Sequence, residues 1–185
     1  MKDYIQESID LRKKVLTDEK LLASVDSAIS ALTETLKRGG KVLIAGNGGS
    51  AADAQHFAAE LVGRYKIERK AYPAIALTTD TSIITAWSND YSFDGLFARQ
   101  IEALGQKGDV FIGISTSGNS LNIIQAISRA REIGLKTFAL LGKGGGKMKN
   151  DASAIIVPSD NTPRIQEIQM MLLHIIAEEV EKNLS

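Results

Sequence analysis

Cysteine is missing from this 185-residue chain, and its absence excludes disulfides, thiolate metal sites and cysteine nucleophiles together. Any bound metal must then use nitrogen and oxygen ligands. Neither charge sign is in excess: 22 Lys and Arg balance 22 Asp and Glu. With no global positive field to hold nucleic acid or an anionic membrane, an anionic ligand must be captured locally. Long apolar runs are also lacking, since nothing approaches the ~18 consecutive apolar residues of a membrane span. The N-terminal MKDYIQESIDLRKKVL mixes both charges with spaced apolar residues, unlike the continuous apolar stretch of a signal peptide. The expectation is a soluble, cytoplasmic protein with neither nucleic acid nor membrane as partner. A hydrophobic content of 44% supplies one core in a chain of this length and leaves no room for a second domain.

Two helical patterns open the chain, the first over Tyr4 to Val15. In the second, Leu21, Leu22, Val25, Ile29, Leu32 and Leu36 paint one face at the 3.6-residue period, and Arg38-Gly39-Gly40 stops it. Short apolar runs follow: KVLIAG (41–46), PAIALT (73–78), DVFIGIS (109–115), KTFALLG (136–142) and SAIIVP (153–158). Several lack period-2 alternation, as strands covered on both faces do, and helical patterns lie between most of them. A closing helix spans about Pro163 to Lys182 and carries Ile165, Ile168, Leu172, Ile175 and Ile176. The fold class is therefore α/β: one domain over residues 1–185, with N-terminal helices in 1–38 and a doubly wound five-stranded parallel sheet in 41–185. GKGGGKMKN (142–150) is the loosest segment and reads as a mobile loop.

Open parallel sheets bind ligands beyond the carboxyl ends of their strands, so the turns after the first and third strands come first. The first, Gly46-Asn47-Gly48-Gly49-Ser50, runs directly into a helix. Glycines let backbone N–H groups close on an anion, and the helix N-terminus adds partial positive charge. The second, Ser115-Thr116-Ser117-Gly118-Asn119-Ser120, offers hydroxyls and unpaired amides in the same setting. Together they form a phosphate cradle without a lysine; separately each also fits an ordinary turn with Ser or Asn as helix cap. The first loop matches G-x-G-x-x-A as well, the pattern of a dinucleotide-binding turn. That reading wants an acidic residue ~20 positions on, whereas the candidate, Asp80, stands 34 beyond Gly46.

Only two histidines are present. His56 lies on the helix after the first loop with Glu60 four residues later, so both side chains leave one face. Such a pair suits a zinc-like ion, and equally suits a partly buried histidine beside a surface glutamate. His174 stands among Met170, Met171, Leu172, Leu173, Ile175 and Ile176, as a core histidine would. Gln166 is eight residues earlier, ~12 Å along a helix axis. One metal can take both only if the side chains lean together or come from different subunits.

Taken together, GNGGSAADAQHFAAELVGRY, the Trp87-Ser88-Asn89-Asp90 turn, GISTSGNS and RIQEIQMMLLH resemble the bacterial phosphoheptose isomerases, a family of sugar isomerase (SIS) proteins. ISTSGNS is shared across SIS proteins and implies phosphosugar binding alone; the HFAAEL and RIQEI…H helices are far more specific. The resemblance implies conversion of sedoheptulose 7-phosphate to D-glycero-D-manno-heptose 7-phosphate, the first step toward heptose in lipopolysaccharide or capsule. It implies one zinc per subunit on His56, Glu60, Gln166 and His174. Substrate contacts are implied at Asn47, Gly48, Gly49, Glu60, Asn89, Asp90, Ser115, Thr116, Ser117, Ser120 and Gln166. A homotetramer with active sites between subunits is implied too, which gives the N-terminal helices a burial surface. The rival resemblance is to a replication-initiator-binding adaptor of the same fold, whose GNGGSAA…AQHFA helix is similar. A scaffold needs neither Glu60 nor the Gln166/His174 pair. Aldose–ketose isomerisation requires proton transfer between C1 and C2, for which Glu60 is the expected base at carbon and His174 the acid/base at oxygen.

Overall fold

The computed structural model describes residues 1–185. Its helices are α1 (Lys2–Leu16), α2 (Glu19–Lys37), α3 (Gly49–Val62), α4 (Thr81–Asp90), α5 (Leu96–Leu104), α6 (Leu121–Ile133) and α7 (Thr162–Leu184). The strands are β1 (Val42–Ala45), β2 (Ala74–Ala76), β3 (Val110–Ser115), β4 (Lys136–Leu141) and β5 (Ser153–Ile156). All pair in parallel, in the order β2-β1-β3-β4-β5. The five strands fall inside the five apolar runs.

Both faces of the sheet are covered, which explains the missing alternation. Val42, Ile44, Val110, Ile112 and Ile114 point into a layer built by α1, α2, α3 and α7, while Leu43, Ala45 and Phe111 point into one built by α5 and α6. Two apolar faces make a continuous apolar run. On α2 the stripe Leu21, Val25, Ala28, Ile29, Leu32 and Leu36 is buried, and Asp18 caps the helix by accepting from the Leu21 amide at 3.0 Å. Pro163 occupies the first turn of α7, where its missing N–H has no partner to lose.

Two local expectations change. Trp87 to Asp90 form the last turn of α4 rather than a free turn, because Asp80 nucleates that helix, accepting from the Ser82 and Ile83 amides at 3.0 and 3.1 Å. Residues 143–150 are a succession of tight turns fastened to the rest of the chain. The Met148 amide donates to the Gly118 carbonyl at 3.1 Å, the Lys147 amide to Asn119 Oδ1 at 3.0 Å, and the Met148 side chain is fully buried. Backbone meets backbone there: a Cβ on Gly118 would strike the Gly145 carbonyl, and one on Gly146 would lie 2.5 Å from the Ser117 oxygen. The glycines make this segment a strap behind the Ser115–Ser120 loop.

Candidate active site

Strands β1 and β3 are neighbours whose onward connections diverge, to β2 on one side and β4 on the other. This is the switch point at which open α/β sheets bind ligands. The two loops singled out in the sequence emerge there side by side. Asn47 Nδ2 donates to Asn122 Oδ1 at 3.0 Å, and Asn122 Nδ2 donates back to Asn47 Oδ1 at 2.8 Å, joining the first loop to the start of α6.

In the second loop Ser115 Oγ lies 2.9 Å from Ser120 Oγ and 3.5 Å from Ser117 Oγ, so the hydroxyls converge. The backbone N–H groups of Gly48, Gly49, Ser117 and Ser120 donate to no acceptor in the chain. Gly48 adopts φ 56°, a conformation open to glycine, and α3 begins at the next residue. Unpaired amides, clustered hydroxyls and the N-termini of α3 and α6 together form an anion cradle. The Gln166 amide occupies the space beside Gly49, its Nε2 2.5 Å from where a Cβ would stand. Gln166 is therefore packed against the first loop.

Further along α3 and α7 the second centre appears. His56 Nε2 lies 2.9 Å from His174 Nε2 and 3.1 Å from Glu60 Oε1. One donor atom from each of the three residues falls within 4.8 Å of the others. A tetrahedral zinc-class ion binds imidazole nitrogen and carboxylate oxygen at about 2.0–2.2 Å, so this donor set closes on such an ion with small side-chain adjustments. His174 is only part-buried and leans against the Tyr65 ring at 5.6 Å between centroids, which corrects the plain core reading of that histidine. Since Gly49 meets Gln166 and His56 meets His174, α3 and α7 run alongside in the same direction. Gln166 thus stands two turns from the cluster within one chain. Asn89 and Asp90 sit exposed at the end of α4, bonded to each other at 2.8 Å and to neither loop.

Three buried or bridging residues around the site escaped the sequence reading. Glu181, 1% exposed, accepts from the amides of Tyr65, Lys66 and Ile67 at 3.0, 2.7 and 2.9 Å and from Arg69 Nε at 3.0 Å. Arg69 in turn donates to the carbonyls of Glu60 and Leu61 at 2.8 and 2.9 Å, satisfying the C-terminal end of α3. Asn122 is the third. A usable signal existed: Glu181 and Asn122 both occupy positions on the buried apolar stripes of their helices. Burial also pushes the Asp53 carboxyl above its usual range, opposed by His56 three residues on. Asp80, the acidic residue that a dinucleotide site would need, is committed to its helix cap.

This parallel α/β layer with a hydroxyl loop at its switch point is of the SIS class, since the SIS domain family model matches residues 3–142. A phosphoheptose isomerase of Helicobacter pylori (strain P12) is 53% identical over 184 residues, covering 98% of this chain and 96% of that protein. One of Clostridium acetobutylicum is 49% identical over 189 residues, covering 100% and 96%. The solved phosphoheptose isomerases of Neisseria gonorrhoeae and Francisella tularensis superpose with TM-scores of 0.90 and 0.93, at 42% and 37% identity. They cover 97% and 98% of this chain and 96% of each neighbour. The chain belongs to the phosphoheptose isomerase family of SIS-domain proteins.

Proposed function

We propose that this chain isomerises sedoheptulose 7-phosphate to D-glycero-D-manno-heptose 7-phosphate, the reaction from which heptose for lipopolysaccharide or capsule begins. Its membership of the isomerase family supports this, and one arrangement carries it. The anion cradle and the His56/Glu60/His174 cluster lie along the same helix, separated by the seven residues from Gly49 to His56. That is about 10 Å of axial rise, on the scale of an extended seven-carbon sugar with its phosphate at one end and the reacting carbons at the other. The adaptor reading is not favoured, since a scaffold has no use for a His/Glu/His cluster.

In this reading the phosphate is held by the hydroxyls of Ser115, Thr116, Ser117 and Ser120 and the free amides of Gly48 and Gly49. Asn47, Asn89, Asp90 and Gln166 hold sugar hydroxyls, with Asn89 and Asp90 reaching substrate at a neighbouring subunit's site. Glu60 moves the proton between C1 and C2, and His174 carries the proton at oxygen. His56, Glu60 and His174 fit a zinc ion, with Gln166 of a second subunit as the fourth ligand. When bound, that ion supplies electrophilic stabilisation of the oxygen charge that develops in the enediolate. Glu60 offers Oε1, which lies 3.1 Å from His56 Nε2, to the cluster, and its other carboxylate oxygen remains for the carbon-bound proton.

The outer face of α1, with Tyr4 68%, Ile5 57% and Leu16 73% exposed, is the surface we assign to a homotetramer. No helix is long and apolar enough to cross a membrane. A phosphorylated substrate argues for a cytoplasmic site of action. The direct test is incubation with sedoheptulose 7-phosphate and detection of aldoheptose phosphate. Failure to form it, with initiator protein bound instead, would favour the adaptor.

A further inference from the structure

We propose that Asn122 is a positioning residue for the phosphosugar, acting through Asn47 to hold the two ligand loops in one register. It rests on the proposed function. Asn122 makes no contact with the free amides of the cradle; its side chain is 2% exposed and pairs with Asn47 alone. The two amides form a closed ring of two hydrogen bonds, each donating once and accepting once. An amide side chain has two N–H donors and two acceptor lone pairs, so the ring leaves Asn47 with one donor and one acceptor for a ligand. It also decides which edge of the Asn47 amide faces the cleft. Without Asn122 the amide rotates freely, and donor and acceptor exchange places.

The placement is unfavourable on structural grounds alone. Asn122 stands on the buried stripe of α6 with Ile123, Ala126, Ile127 and Ala130, where an apolar side chain would pack without a polar group to satisfy. Asparagine is also a weak helix former. What the residue supplies is a link across the switch point. Ser120, two residues before it, belongs to the hydroxyl cluster, and Gly48 and Gly49, directly after Asn47, carry the free amides of the other loop. A fully satisfied buried amide pair specifies one arrangement of the groups on either side of it. The pair therefore sets the distance between the phosphate hydroxyls and the facing glycine amides.

The test compares Asn122→Leu, which keeps the buried volume and removes both hydrogen bonds, with Asn122→Ala, Asn47→Ala and the double alanine variant. Readouts are KM and kcat for sedoheptulose 7-phosphate, its affinity by calorimetry, and the thermal midpoint. Loss of one positioned hydrogen bond predicts KM and dissociation constant raised about tenfold in Asn122→Ala, with kcat changed far less. The double variant is expected to bind no more weakly than Asn47→Ala alone, because Asn122 acts only through its partner. Asn122→Leu, which fills a similar space on the apolar stripe without either hydrogen bond, should show the same KM shift with the thermal midpoint near that of the native protein. Native affinity in both Asn122 variants, or independent losses that multiply in the double variant, overturns the inference while leaving the isomerase reading intact. Native protein that neither binds nor turns over the sugar phosphate overturns both.

Discussion

Arg69 Nε and Glu181 Oε1 meet at 3.0 Å with the side chains 6% and 1% exposed, and this pair ties the end of the helix bearing His56 and Glu60 to the helix bearing His174. Burial raises the Glu181 carboxyl, but the amides of Lys66, Tyr65 and Ile67 and the charge of Arg69 outweigh it and hold it below the ordinary glutamate value of 4.5. A depressed carboxylate contributes stability that is present above pH 4.5 and is lost as pH falls through the folded-state value. Breaking a buried pair leaves Arg69 uncompensated, so Glu181→Gln should destabilise the protein by about 3–5 kcal/mol at neutral pH. Denaturant titrations across pH check this: the gap between variant and native protein should narrow in acid. A gap constant with pH would mean that the charge of Glu181 is not what stabilises the fold.

Glu60→Gln keeps size and hydrogen-bonding capacity but removes the proposed base. Isomerase turnover should fall by about 10²-fold or more, the range for lost general acid–base catalysis. Because Glu60 bonds only to His56 through its side chain, circular dichroism and the thermal midpoint should stay near native. A native rate in this variant would remove Glu60 from the chemistry.

The cluster of His56, Glu60 and His174 predicts about one zinc-class ion per chain in purified protein, measurable by elemental analysis. Chelation should lower turnover and readdition should restore it. His174→Gln should weaken metal retention in equilibrium dialysis. Protein that keeps full activity at no measurable metal content would show that these three residues serve as acid–base groups alone.

Ser117→Ala and Ser120→Ala each delete a hydroxyl from the anion cradle. A lost hydrogen bond to a charged group is worth roughly 1.5–3 kcal/mol, so affinity for the sugar phosphate should drop clearly while kcat changes less. Folded variants that bind substrate as the native chain does would locate the phosphate elsewhere.

Gly118→Ala should weaken both the fold and phosphate binding, since its Cβ would meet the backbone of Gly145 and its φ is 67°. Overpacking of this kind costs about 1–3 kcal/mol in addition to left-handed strain. Gly144, at φ 70°, has open space around its Cβ position and supplies the control. Gly144→Ala should show the strain without the loss of affinity. Equal effects from the two substitutions would mean that the strap does not support the loop.

Much of this protein was legible in order along the chain. Apolar runs at 41–46 and 109–115 marked buried strands because covering both faces removes alternation, and Gly-Asn-Gly-Gly-Ser and Ser-Thr-Ser-Gly-Asn-Ser marked the two loops that meet at the switch point with unpaired amides and clustered hydroxyls. The i, i+4 spacing of His56 and Glu60 needed only helical geometry. What local pattern does not carry is which distant residues meet. His174 joins His56 across 118 positions, Asn122 joins Asn47 across 75, and Glu181 reaches Arg69 across 112. Each of those contacts exists because β1 and β3 lie adjacent and α3 runs beside α7, an outcome of sheet order and of packing two apolar helix faces on the sheet. The sequence alone determined the chemical groups and the loops that present them; the tertiary structure decided their partners, because a hydrogen bond acts over about 3 Å and only folding brings remote segments that close.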